Sequence, residues 1–409
     1  MQFIKNDDLK AGIRLARPIF DRNGTLLYDR GSALTAGNIP SIRKFGFPGL
    51  FVLEPAEPVP PITEEELEYE RFQSIVLHRI KEDYQLLHNA HAPENLDTLT
   101  TEIMNLYGSF SHRMIFVQDL RSEEDALYKH ALNVAILCAR LANELKLDVM
   151  SKYSVIYAAL VHDIGLDSDI AKHRKRILSF TDDIPEVFTP EMEYYFKIDY
   201  EDRNTGYDIL HAEYNDYELP EKALNIMHQF NHVFYHPQMP INERLVEFWE
   251  TETKILQVSN MFDVLTCMND YHEPLSYMRA IQYLKKHEEY YDKDIVNCLC
   301  NALSILPAGA CVDLNNGDKG VVLAENLEDF SQPVIFSFNS KRLIDLAQPD
   351  IASEHWVIDN MRMMDNRPRI DAETLKHFIA DPGLVETTRM IRKKLIASHD
   401  RLAKQGIVL

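Results

Sequence analysis

A chain of 409 residues is long enough for more than one domain, and its 45% hydrophobic content is ordinary for a globular protein. The formal net charge of -21 argues against a sequence-independent grip on DNA or RNA, which needs clustered Lys and Arg, and disfavours an anionic membrane surface. A small anionic ligand stays open, because a bound metal reverses the local field.

No apolar run approaches the ~20 residues that span a bilayer. The opening Met1-Gln2-Phe3-Ile4-Lys5-Asn6-Asp7-Asp8 has no signal-peptide core, so the expected address is the cytosol. The five cysteines, Cys138, Cys267, Cys298, Cys300 and Cys311, are odd in number and scattered, which speaks against a disulfide framework. Cys298-Leu299-Cys300 has no second pair and reads as buried thiols on a helix.

Residues 1–54 read as a small β-rich domain. Ile13-Arg14-Leu15-Ala16 and Thr25-Leu26-Leu27-Tyr28 flank Asn23-Gly24, a hairpin signal. Leu50-Phe51-Val52-Leu53 follows a Gly/Pro turn. Prolines at 55, 58, 60 and 61 mark a linker, and Thr63 with Glu66 makes a capping box. Phe72, Ile75, Val76, Ile80, Tyr84 and Leu87 then form a helical stripe, so 55–113 is expected as linker plus helix. From 114 to 305 the pattern is mainly helical. Residues 306–347 turn β-rich, with a hairpin at Asn315-Asn316-Gly317-Asp318-Lys319-Gly320. Residues 348–409 are expected as a helical tail, with apolar positions from Leu375 to Ile396 for packing.

The sharpest chemical signal is Val161-His162-Asp163-Ile164-Gly165, at the end of the apolar run Tyr157-Ala158-Ala159-Leu160. A His-Asp pair is costly in a core unless paired or bound to metal. His130 lies on a second apolar helix, Leu127-Tyr128-Lys129-His130-Ala131-Leu132. Two imidazoles and a carboxylate are a donor set that divalent transition metals accept.

This ordered series, from His130 through His162-Asp163-Ile164-Gly165 to Phe262-Asp263-Val264-Leu265-Thr266, resembles the HD-GYP domain of bacterial cyclic di-GMP phosphodiesterases over residues 114–305. The flanks resemble the small β domain that often precedes it and the β extension that often follows. The resemblance implies a mainly α, HD-type helical bundle with β-rich flanks and a helical tail. It also implies a divalent transition metal, iron or manganese, with His130, His162, Asp163 and His228 as ligands. Asp163 falls in the metal-bridging position, the catalytic one if the protein is active. By spacing back from Gly206-Tyr207, Asp202 falls where the family has a metal histidine, and Asn260 where it has its last metal aspartate. Tyr271 and His272 fall in the substrate-binding stretch, where Asn269 and His272 replace two arginines.

The departures run in one chemical direction. Leu166 replaces the lysine after the glycine, Met227 the first of two paired histidines, and Asn260 a carboxylate. Val233, Tyr235 and His236 replace the residues of the GYP loop, leaving His228 and Pro237. His232 and His236 beside His228 read as loop histidines or as a new metal or anion site. Asp263 reads as orienting a neighbour. Two functions remain. One is a degenerate, weakly active or silent binding and signalling module of cyclic dinucleotide signalling, with a cyclic dinucleotide, a protein or a second copy of the chain as partner. The other is an active metal-dependent phosphodiesterase acting on cyclic di-GMP or another phosphoester. The losses favour the first.

Overall fold

The structure is a computed structural model. It describes residues 2–20, 25–45, 47, 49–53, 59, 64–109, 113–114, 116, 121, 125–166, 190–211, 217–235, 247, 249–267, 274–326, 328–360 and 362–363. The Asn23-Gly24 turn, the linker prolines at 55, 58, 60 and 61, Tyr271, His272, His236 and the tail beyond 363 lie outside these residues.

About half of the described residues are helical, with small sheets before and after the helical stretch. Near the N-terminus, β1 (Gln2–Lys5), β2 (Arg14–Leu15) and β5 (Gly49–Leu53) share a sheet. The strands β3 (Ile19–Phe20) and β4 (Leu26–Tyr28) pair antiparallel beside it, and α1 (Ile39–Arg43) packs below. Every residue of β5 is buried, and it pairs with β1 on one side and β2 on the other. Phe3 sits opposite Phe51 in the ladder, with ring centroids 5.9 Å apart, edge to face. This sheet has an apolar core of its own.

The bundle begins with α2 (Glu64–His88) and α3 (Leu96–Tyr107), and α4 (Ala126–Glu144), α5 (Val149–Val161) and α6 (Pro190–Leu210) follow. Next come α7 (Glu221–Gln229), continued by a wider turn over Phe230–Tyr235, then α8 (Thr251–Thr266), α9 (Tyr277–Lys286) and α10 (Lys293–Ala302). In α4 every residue from His130 to Ala142 is buried, and α5 and α8 are buried almost as completely. A helix apolar on all sides belongs at the centre of a bundle. The starts are capped locally. Asp148 accepts from the Ser151 amide at 3.0 Å, Ser276 from Arg279, and Asp292 from Asp294 and Ile295.

A second sheet, β6 (Cys311–Leu314), β7 (Lys319–Ala324), β8 (Val334–Ser337), β9 (Leu343–Asp345) and β10 (Val357–Asp359), shares its core with the bundle through Val312, Leu314, Val322, Ile335 and Val357. Its first turn uses Gly317 at φ 81°, a conformation glycine adopts without strain. The segment 348–363, expected as the start of a helical tail, holds only the short α11 (Pro349–Ala352). Beyond it, β10 pairs with the open edge of β6, and β11 (Arg362–Met363) runs parallel to β1. Unpaired ladder groups on those edges outweigh local helix preference. All five cysteines are buried free thiols. Among the described residues no helix is long and apolar enough to cross a membrane.

One close approach sets the position of α6. A Cβ on Gly206 would lie 2.6 Å from the Gly165 nitrogen and 3.0 Å from its Cα, and a Cβ on Gly165 would strike the Asp202 carbonyl. Only paired glycines let the turn after α5 touch α6 this closely. Gly165→Ala is expected to lower stability by about 1–3 kcal/mol through forced separation of the two segments. Gly37→Ala, which meets only Thr35 at 3.8 Å, is expected to change it by less than about 0.5 kcal/mol. Urea midpoints of the two variants check this, and equal midpoints would refute it.

Candidate metal centre

The site is assembled around Asp263 on α8. Its carboxylate is fully buried and accepts two bonds from the Arg121 guanidinium, at 2.6 and 2.8 Å, and one from Asn133 Nδ2 at 3.0 Å. Burial by itself would raise this carboxyl. Arg121 and His130 outweigh it and hold the group well below the usual carboxylate range. An ionised carboxylate only accepts hydrogen bonds. His130 Nδ1, 2.6 Å from Asp263 Oδ2, therefore carries a proton, and its Nε2 is turned to the other side of the ring.

His162, at the end of α5, is fixed by the same logic. Its Nδ1 lies 2.7 Å from the Ala159 carbonyl, which also only accepts. Its Nε2 is thus unprotonated and lies 3.3 Å from His130 Nε2. Burial is the main cause that pushes its pKa down to about 4; His130 and Arg203 act in the same direction and Asp163 opposes them. The two Nε2 atoms face one another at a separation that two ligands of one ion would have.

The other groups around this point are also oxygen acceptors. Asn260 Oδ1 lies 3.0 Å from His130 Nε2 and 3.3 Å from His162 Nε2. Asp163 Oδ2 lies 3.4 Å from His130 Nε2, and its Oδ1 3.4 Å from His162 Nε2. Ligands about 2.1 Å from a metal are separated by about 3.0 Å in an octahedron and about 3.4 Å in a tetrahedron. The donor set and its spacings fit a divalent ion. Among the described residues, His130, His162 and Asp163 form the group of ligand atoms close enough to share one, and all three are buried.

The remaining expected ligands fall elsewhere. His228 is exposed on α7, stacked on His232 with centroids 5.4 Å apart and planes at 10°, and beside Tyr207 at 5.5 Å. It is not brought into the group. Asp202 is half-buried on α6, and its neighbour Arg203 is the residue that reaches Asp163, at 2.6 Å. Met227 is buried in the apolar core, and Leu166 is buried with its amide on the Asp163 carbonyl at 2.9 Å. Asp263 orients His130, as expected.

Sequence reading missed Arg121, Asn133 and Arg203. Asn133 was within reach, one helical turn after His130. Arg203 had a weaker signal, three residues before a glycine that a close helix crossing needs. Arg121 had none, since it meets Asp263 across 142 positions of sequence.

No family model matches the chain, and no curated protein matches it. Among solved structures it is similar to Bd1817, a HDG"Y"P protein from Bdellovibrio bacteriovorus. The identity is 14% over 73% of this chain and 97% of that one, with a TM-score of 0.37. At that distance the functional reading rests on the residues of the site themselves.

Two outcomes follow from the protonation pattern. Asp263→Asn leaves Arg121 buried without its anion, and urea unfolding is expected to show a loss of about 3–5 kcal/mol; a loss below about 1 kcal/mol would refute the pairing. The second concerns acid. Unfolded His162 binds its proton near 6.5, while the folded residue, enclosed by His130, Asp163, Asn260, Arg203 and Phe230, resists until about 4. Metal-free protein should therefore keep this contribution above pH 6.5 and lose it progressively as pH falls toward 4. His162→Gln should flatten that limb of the stability curve. An unchanged limb would mean that His162 is already protonated in the folded state.

Proposed function

We propose that this protein is a degenerate HD-GYP-like member of bacterial cyclic dinucleotide signalling. In this reading it binds a divalent transition metal and serves as a binding or signalling module, with little or no phosphodiesterase activity. The observation that carries the metal is the convergence of the two Nε2 atoms with Asp163 and the Asn260 carbonyl in a buried space. Imidazole and carboxylate ligands suit iron or manganese. A bound ion would supply Lewis-acid polarisation of a phosphoryl oxygen.

What the chain contributes around that ion supports the weak-activity half of the reading. Asp263 and Ala159 engage Nδ1 of His130 and His162, which leaves each Nε2 directed into the site. Asn260 orients toward both imidazoles and adds no negative charge. Leu166 is buried and has neither a proton to give a leaving group nor a charge for phosphate. Met227 packs into apolar surroundings, and a thioether is a poor ligand for a hard ion. Retention of His130, His162 and Asp163 together is what favours the second reading, an active phosphodiesterase.

The test is metal content by mass spectrometry on purified protein, with cyclic di-GMP turnover measured on the same sample. Wild type is expected to hold transition metal, Asp163→Ala and His130→Ala to lose it, and wild-type turnover to stay well below ~1 per second. Absence of metal from wild type even after incubation with manganese would overturn the metal reading; the Asn260 amide would then be turned, with Nδ2 donating to the imidazoles. Turnover at ~1 per second or faster would establish the hydrolase instead.

A further inference from the structure

The helices α5 and α8 meet at two places. Near the start of both, Lys222 Nζ of α7 donates to Ser151 Oγ at 2.6 Å and to Glu252 Oε1 at 2.6 Å. Further along, Asn260 Oδ1 lies 3.3 Å from His162 Nε2. The two helices therefore run in the same direction, and the faces between these points form one seam. On α5 that face carries Ser151, Ser154, Ala158 and His162, three or four residues apart, and on α8 it carries Thr253, Gln257 and Asn260.

The middle of the seam holds polar atoms that the surrounding protein does not satisfy. Among the described residues, Ser154 Oγ, Thr253 Oγ1 and both Oε1 and Nε2 of Gln257 have no hydrogen-bond partner, and the three residues are fully buried. Other buried hydroxyls in the bundle bond to their own helix. Thr100 donates to the Leu96 carbonyl and Thr266 to the Phe262 carbonyl, each at 2.7 Å. Ser154 and Thr253 make no such bond. Two hydroxyls and an amide are costly to bury unpaired, and proteins satisfy such groups with ordered water. Between Ser154 and His162 the α5 face carries Ala158, a methyl group where a larger side chain would use the space.

We propose that the seam binds ordered water through Ser154, Thr253 and Gln257, and that this water forms a hydrated path from the Lys222–Glu252 ion pair to the His162–Asn260 end of the candidate metal centre. The Lys222 side chain is 42% exposed, so the outer end opens to solvent. Asn260, at the inner end, follows Gln257 by one helical turn. The path connects solvent to a centre whose candidate ligands are all buried. Ser154, Thr253 and Gln257 are not among those ligands, and water held by them requires no ion in the centre.

The experiment uses the full chain freed of metal by a chelator. Oxygen-17 magnetic relaxation dispersion counts long-lived internal water, and urea unfolding reads stability, for wild type, Thr253→Val, Gln257→Met and the double variant. Each substitution keeps a similar shape and removes the polar atoms. Each single variant is expected to lose about one long-lived water and to unfold at lower urea than wild type, because a bond to water is lost and the groups sharing that water are left short of a partner. The double variant is expected to fall by less than the two single effects together, since both side chains serve the same water. An unchanged dispersion in both single variants, or a higher urea midpoint, overturns the proposal, because apolar replacement of dry, unpaired groups is neutral or stabilising. Wild type alone decides the matter if a variant does not fold. Its crystal structure is expected to show water about 3 Å from Thr253 Oγ1 and from the Gln257 amide. Direct bonds from both side chains to protein atoms, with no water between α5 and α8, overturn it.

Discussion

Everything at the centre of this bundle depends on one buried carboxylate. Asp263 carries a full negative charge in the interior and is stabilised there by Arg121, Asn133 and the protonated nitrogen of His130. Those contacts tie α8 to α4 and to the stretch before α4. They also decide a chemical question, because an acceptor on Nδ1 turns Nε2 of His130 to the opposite side of the ring. Without Asp263 the imidazole would be one more buried polar group; with it, the ring is held with Nε2 toward His162 and Asp163.

The second carboxylate is handled differently. Asp163 also faces imidazoles, but its counter-charge comes from Arg203 on a separate helix. Each buried carboxylate thus has a guanidinium against it, and such pairing is what lets charged groups tolerate the interior. Asp263 sits behind the first imidazole and tunes it, while Asp163 faces the space where an ion fits. The two acids, similar in composition, separate in role because one is saturated by donors and the other retains an oxygen toward the imidazoles.

Much of the scaffold was legible locally. The runs around Leu132 and Leu160 are apolar on all sides and mark central helices, the Asn-Gly signal at 316–317 marks the turn between β6 and β7, and β5 reads as an unbroken buried strand. Among the candidate ligands, the adjacency of His162 and Asp163 at the end of a buried helix was visible because core positions charge a high cost for such groups. His228 was placed by spacing alone, and spacing does not report which side of a helix faces inward. In the structure that side chain is exposed and stacked on His232. The short strands β10 and β11 were illegible for another reason. Their partners, β6 and β1, lie far away in sequence, and a strand of two or three residues has no periodicity to read.

The amino-acid sequence by itself determined the central helices, the small β units at both ends and the pairing of imidazole with carboxylate, since these follow from hydrophobic periodicity, turn chemistry and the cost of burying charge. Only the tertiary structure decided which acceptor engages Nδ1 of each histidine, that Asn260 completes the group, and that Arg121 and Arg203 pair with the two acids. Those facts depend on side chains meeting across the bundle at distances near 3 Å. Contacts between residues far apart in the chain leave no mark on local pattern until the helices have packed.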